Sequence, residues 1–257
     1  MKTLIFLALL SMLPAISIAE TKCIAHMGLH TSVPKNSLAA LVAAKEAQAD
    51  GIEFDIQHTL DGEAIVMHDK TLKESAMSRR GRECPLKKKI SKMLLKEIRE
   101  NCQLKNSDES IPTLSEALES LKDYKKLIFI EFKDRPSKLT GELIQSHFES
   151  DPEKLRIISF NPRHFNKGRI QNPFWDQVRF LDLDVFLIKE RKNQGINLFN
   201  RSYGLRKRFL RETDAEVSVW TVNSIKRMEY FFKEKVDFVT TDRLIECLEI
   251  KRNSESN

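Results

Sequence analysis

Beyond its first residues the sequence contains no apolar run long enough to cross a bilayer. It lacks the cysteine and histidine spacing of a zinc finger, a helix-turn-helix pattern and an aromatic base-stacking platform, which excludes the common nucleic-acid modules. No segment repeats. Nor does one sign of charge dominate: 43 Lys and Arg face 37 Asp and Glu. The net charge of +6 is compatible with anionic substrates or a membrane surface and selects neither. Histidine is scarce, at six residues, so the place of each one carries information.

What is present begins with a leader. Lys2 precedes an apolar run over residues 4–10, then Pro14 and the small-residue site Ser17-Ile18-Ala19. A positive start, a short apolar core and a small-x-small end read as a cleavable signal over residues 1–19, and so as export to the periplasm or the medium. Its removal takes Lys2 and lowers the charge from +6 to +5. The rest suits one domain over 20–250, followed by a polar tail, 251–257, expected to be disordered.

Four cysteines in an exported chain invite disulfides, and sequence alone allows three pairings. Cys84 and Cys102 are spaced to staple one loop excursion. Cys23 opens the first strand and Cys247 lies in the last helix, which barrel closure would bring together. The expected pairs are 84–102 and 23–247, with free buried thiols as the alternative for the second.

Short β-type runs at 23–26, 51–57, 64–68, 127–132, 156–159, 178–183, 195–198, 217–221 and 238–240 alternate with helical stretches. The latter include 37–49, 114–122, 138–148, 205–212 and 224–234. Such alternation implies parallel strands joined by crossover helices. Asp61-Gly62 is a hairpin signal, so 64–68 returns antiparallel beside the second strand. Eight strands remain, the count of an α/β (β/α)₈ TIM barrel with an insertion after its second strand. That insertion, 70–110, is rich in Lys and Arg. It reads either as a basic lid over an anionic substrate or as a solvated excursion.

The segment Gly51-Ile52-Glu53-Phe54-Asp55-Ile56 is the most informative. Side chains alternate along a strand, so Glu53 and Asp55 share the face opposite Ile52, Phe54 and Ile56. Two buried carboxylates this close persist only with a proton or a cation between them. Residues 127–133 repeat the theme, ending in Glu131-Phe132-Lys133. Three strand-end carboxylates suit one divalent cation, Mg²⁺ or Ca²⁺; pairing of each acid with a nearby Lys or Arg is the alternative. His26 and His68 also end strands and fit an acid–base pair. His58 has the opposite parity and, with His147 and His164, reads as structural. His30, in the first βα loop, is undecided.

In order along the chain stand His26-Met27-Gly28, Pro34-Lys35-Asn36-Ser37, the Glu53/Asp55 strand, Thr59-Leu60-Asp61-Gly62 and His68-Asp69. Then follow Ile111-Pro112-Thr113-Leu114, Glu131-Phe132-Lys133, Ile158-Ser159-Phe160, Val219-Trp220-Thr221-Val222-Asn223 and Thr241-Asp242-Arg243. This succession resembles the glycerophosphodiester phosphodiesterase family over nearly the whole mature chain. The resemblance implies metal-dependent hydrolysis of glycerophosphodiesters to an alcohol and sn-glycerol 3-phosphate. It makes Glu53, Asp55 and Glu131 the metal ligands and His26 and His68 the acid–base pair. Lys133 would contact the phosphate, and Trp220 would wall the glycerol or head group. Asn36 would order the first βα loop, or equally cap the first helix.

Two positions depart from the family pattern. Met27 stands where it has arginine, and Lys35 where it has glutamate. Methionine offers a phosphate none of the guanidinium's paired hydrogen bonds, and Lys35 would return a positive charge to the substrate from the other side. The alternatives are a sphingomyelinase D-like phospholipase D or lyase acting on lysolipids, and a non-catalytic homologue that binds a phosphorylated ligand. The expected partner is a small phosphodiester or lysolipid, with peripheral membrane contact and no nucleic acid.

Overall fold

The computed structural model of the protein describes residues 20–161, 173–182, 194–210 and 215–255. The signal reading, His164 and part of two expected elements lie outside them.

Eight parallel strands close into a barrel. β1 (Lys22–Ala25) pairs with β2 (Gly51–His58), and β2 with β6 (Leu127–Phe132). The ring continues through β7 (Leu155–Ile158), β8 (Arg179–Asp182), β9 (Gln194–Phe199) and β10 (Val217–Trp220) to β11 (Phe238–Thr241), which pairs back onto β1. β3 (Ala64–Val66) runs antiparallel beside the end of β2, as the Asp61-Gly62 turn predicts.

Parity sorts the side chains. Ile52, Phe54 and Ile56 point outward, into the large apolar cluster between strands and helices. Ile24, Phe129, Ile158, Leu181 and Phe238 form a separate cluster that plugs the barrel floor. Two residues further along the same inward faces come His26, Glu131, Phe160 and Thr240. The inward positions are therefore apolar at the floor and chemically varied at the mouth.

The helices of the outer layer begin where the sequence supplies caps. Ser37 accepts the Ala40 N–H at the start of α1 (Leu38–Glu46). Thr113 and Glu116 form a capping box on α3 (Leu114–Ser120). Ser137 caps α4 (Lys138–Phe148). α6 (Tyr203–Leu210) and α7 (Ile225–Glu234) follow β9 and β10.

α8 (Leu244–Glu255) takes in residues 251–255 of the expected disordered tail, and the last two residues of that tail lie outside the described ones. Polar composition alone suggested a free tail. Lys251 instead reaches back to the floor, 3.0 Å from both carboxylate oxygens of Asp50 and 3.5 Å from Glu20. Both expected disulfides are present. Cys23–Cys247 ties β1 to α8, and Cys84–Cys102 staples the insertion. Among the described residues no helix is long and apolar enough to cross a membrane.

The insertion is more ordered than its composition implied. β4 (Ala76–Ser78) and β5 (Cys102–Leu104) pair antiparallel, with α2 (Leu95–Asn101) between them. They enclose a small core that includes Leu72, Ile90, Met93 and Ile98. Three-residue strands carry too little periodicity to be read from sequence. Part of the basic charge has local partners: Lys88 pairs with Glu97, Arg99 with Glu116 on α3, and Arg79 donates to the carbonyls of Arg99 and Cys102.

Candidate active site

Parallel pairing of β2 and β6 sets Asp55 directly beside Glu131, with Glu53 one inward step below. One ligand oxygen from each lies within 4.8 Å of the other two. Glu53 is 2% exposed, Asp55 0% and Glu131 8%. Glu53 accepts the Met27 N–H at 2.9 Å through Oε2, while its Oε1 has no hydrogen-bond partner. Asp55 Oδ2 accepts from Asn36 Nδ2 at 2.8 Å. Asp55 Oδ1 also lacks a hydrogen bond, although Lys133 Nζ is 3.2 Å away as an ion-pair partner. The same ammonium is bonded to Glu131.

One lysine therefore serves two of three buried carboxylates, and simple ion pairing does not satisfy the cluster. The electrostatics agree. Burial, then the charges of Asp55 and Glu131, push Glu53 well above the ordinary carboxylate range. Burial and Asp55 push Glu131 up to about 7. Burial works against the charge on Lys133, but Asp55 and Glu131 outweigh it and hold the ammonium protonated. Buried oxygens left without donors, in an all-oxygen set of three, fit a hard divalent cation.

The first βα loop is shaped around this cluster. Met27, Gly28 and Asn36 all adopt positive φ (54°, 80° and 58°). At Gly28 a Cβ would lie 2.6 Å from the Ala40 backbone, so only glycine fits there. Met27 is buried and contributes its backbone, donating to Glu53 and accepting from Asn36 N–H at 3.0 Å. Asn36 is not the helix cap, which is Ser37. It clasps Asp55 from both sides, with its Oδ1 accepting the Asp55 N–H at 3.3 Å.

His26 and His68 are held in contrasting ways. His26 Nδ1 lies 2.6 Å from Asp242 Oδ1 at the end of β11, and its ring is 22% exposed. Asn223 Nδ2 donates to the other Asp242 oxygen at 2.5 Å, and His30 Nε2 lies 3.2 Å from Oδ1. Burial raises the Asp242 pKa, but hydrogen bonds from His26 and His30 prevail and hold the carboxyl far below its usual range. His68 Nδ1 meets its neighbour Asp69 at 2.9 Å, and its ring is 43% exposed. Its backbone is fixed to β2: Met67 N–H donates to the Asp55 carbonyl, and Gln57 Nε2 donates to the Met67 carbonyl at 3.0 Å.

On the opposite side of the mouth Trp220 packs edge-on against Phe160 and Phe199, with ring centroids 5.1 and 5.6 Å apart. Lys133 Nζ sits 5.4 Å from the Phe160 ring, joining this wall to the carboxylates. Lys35 is exposed on the loop surface, and among the described residues no hydrogen bond links it to the cluster. His58 is bound to Asp134 and Thr140 behind the barrel wall, the structural role its parity implied. Asp242, Asn223, His30, Phe160 and Phe199 had no assigned role in the sequence. Strand-end parity was the signal that would have found Asp242, two residues after the inward Thr240.

Fold and site together define a (β/α)₈-barrel enzyme whose chemistry sits at the C-terminal ends of the strands. Residues 26–173 match the model of the glycerophosphoryl diester phosphodiesterase family. The chain belongs to that family. It is 27% identical over 269 residues to human glycerophosphodiester phosphodiesterase 1, an overlap of 88% of this chain and 79% of the human one. A glycerophosphodiester phosphodiesterase structure from Parabacteroides distasonis superposes with a TM-score of 0.73 at 25% identity, covering 92% of this chain and 99% of that one. An Oleispira antarctica phosphodiesterase, solved with its product sn-glycerol 3-phosphate, shares the fold at TM-score 0.72 and 20% identity, over 90% and 96% of the two chains. Family membership favours a phosphodiesterase over the sphingomyelinase D-like alternative.

Proposed function

We propose that the protein hydrolyses glycerophosphodiesters to an alcohol and sn-glycerol 3-phosphate, using one divalent cation, Mg²⁺ or Ca²⁺, and two histidines. The observation that carries this reading is the trio of buried carboxylates with two oxygens that accept no hydrogen bond, together with two histidines anchored on carboxylates just past β1 and β3. Glu53, Asp55 and Glu131 would hold the cation. When bound, it supplies polarisation of the phosphoryl oxygens and charge stabilisation as the P–O bond breaks.

The chain's own groups do the rest. His26 and His68 each turn Nδ1 to an aspartate, which leaves Nε2 as the proton-transfer atom. One takes a proton from the attacking hydroxyl while the other gives one to the leaving oxygen. Lys133 supports the phosphate as a point charge between the carboxylates and Phe160. Trp220, with Phe160 and Phe199, shields the apolar face of the glycerol or head group. Lys35 reaches the substrate only from the loop surface, as a second positive charge. The disulfides, together with the leader-like residues 1–19, support export to the periplasm or the medium. The insertion over 70–110 would then border the site as a stapled rim.

Release of glycerol 3-phosphate from glycerophosphocholine and glycerophosphoethanolamine tests this reading, measured with Mg²⁺, with Ca²⁺ and with EDTA. Release that EDTA abolishes and His26→Ala removes is the expected result. A folded protein that releases none, but forms a cyclic phosphate from lysophospholipids, would overturn it.

A further inference from the structure

Among the described residues, the side of the mouth that carries the carboxylates holds one histidine more than the proposed chemistry uses. His30 lies four residues past His26, on a loop pinned by the Leu29 N–H bond to the Ala40 carbonyl at 2.9 Å. Its Nε2 and the Nδ1 of His26 converge on the same oxygen, Asp242 Oδ1, at 3.2 and 2.6 Å. An ionised carboxylate has no proton to give, so both facing nitrogens must be the donors. The two rings are thereby fixed as opposite tautomers, His26 protonated at Nδ1 and His30 at Nε2.

We propose that His30 is a positioning residue: by sharing Asp242 Oδ1 with His26, it sets how much of that carboxylate's charge the catalytic imidazole receives. The proposal rests on the reading of His26 as a proton-transfer group.

The surroundings leave few competitors. Asn223, from the loop after β10, occupies the other Asp242 oxygen and also accepts the Asp242 N–H at 3.0 Å. Arg243, next in sequence, pairs with Glu246, with Nε 2.8 Å from its carboxylate, and its Nη1 reaches the Asn223 carbonyl at 3.4 Å. On β2, Glu53 meets this region through the Met27 N–H. Asp242 is thus the carboxylate bonded to His26, and His30 is the titratable group that divides its attention.

Removing His30 gives Asp242 Oδ1 to His26 alone, so the imidazolium is better stabilised and Nε2 holds its proton to higher pH. In His30→Ala the limb of the pH–rate profile governed by His26 should move to higher pH by on the order of half a unit or more. The low-field Nδ1 proton resonance of His26 should move further downfield, and KM should stay near the wild-type value. His30→Gln, whose amide N–H can replace the Nε2 donor, should restore both readouts. Should His30→Ala not fold, His30→Asn, too short to reach Asp242, carries the same test. A folded variant lacking the donor, with profile and resonance unchanged, would overturn the proposal. The resonance is read without turnover. An expected shift in a protein that hydrolyses no phosphodiester would therefore leave this inference standing and sink the functional reading instead.

Discussion

The barrel mouth has two halves built from the same positions. At the ends of β1, β2, β6 and β11 the inward residues are His26, Asp55, Glu131 and Asp242; at the ends of β7, β9 and β10 they are Phe160, Phe199 and Trp220. The charged half is wired. Glu53, Asp55 and Asp242 are each bonded to another element, Glu131 to Lys133 beside it, and two oxygens accept no hydrogen bond. The aromatic half is packed edge to edge and partly open, with Phe160 39% and Phe199 44% exposed. A phosphodiester also has two unlike parts, a phosphoryl group that changes charge in the transition state and a carbon framework that does not. Interactions that strengthen with developing charge raise kcat, whereas uniform contacts with the framework lower KM. The two halves should therefore separate in kinetics.

Breaking the charged half has the largest expected effect. Glu53→Gln or Asp55→Asn should lower kcat by about a thousandfold, the scale of a lost metal contribution, with KM little altered. Steady-state kinetics at saturating Mg²⁺ checks this, and a KM-only defect would contradict it.

Next comes the pH dependence of stability without metal. Glu131 is pushed up to about 7 in the fold from an ordinary 4.5. A raised carboxyl contributes stability that is complete below the unfolded value and is lost as pH climbs through the folded one. In EDTA the melting temperature should fall between about pH 5 and pH 8, a loss on the order of a few kcal/mol. Saturating Mg²⁺ or Ca²⁺ should stabilise more at the upper end. A melting temperature that rises with pH in EDTA would show that the cluster is not strained by like charge.

A smaller gain is expected from Met27→Arg. The backbone already adopts its left-handed turn there, and the guanidinium would replace a side chain that is buried. kcat/KM should rise by about tenfold if the phosphate lies within reach. An unchanged rate would place the substrate away from this loop. The smallest effect belongs to the aromatic half: Trp220→Leu should raise KM by about fivefold and leave kcat nearly intact. A large fall in kcat would merge the two halves.

The charged half was largely legible in the sequence because alternation on a strand is a strong rule. Glu53 and Asp55 had to share a face, and an apolar run ending in Glu131 had to end at the same mouth. The wiring was not legible. His26 and Asp242 stand 216 positions apart, and only closure of β11 onto β1 joins them. His30 stayed undecided for the same reason, since loop direction depends on the positive φ values at Met27 and Gly28. The fold followed from the βα rhythm and one hairpin signal. What escaped was the interior of the insertion, whose strands are too short for periodicity, and the end of α8, where Lys251 finds Asp50 across the floor.

Both the chemistry of the charged half and its pH dependence require the three carboxylates to form one cation site. Calorimetric titration of the metal-free protein with Ca²⁺ and with Mg²⁺, at about pH 8, above the value of about 7 to which Glu131 is pushed, tests that most directly. One ion bound per chain, lost in Glu53→Gln and in Asp55→Asn but retained in Trp220→Leu, is the predicted result. No binding by the folded wild type, or binding that survives both carboxylate substitutions, would contradict it.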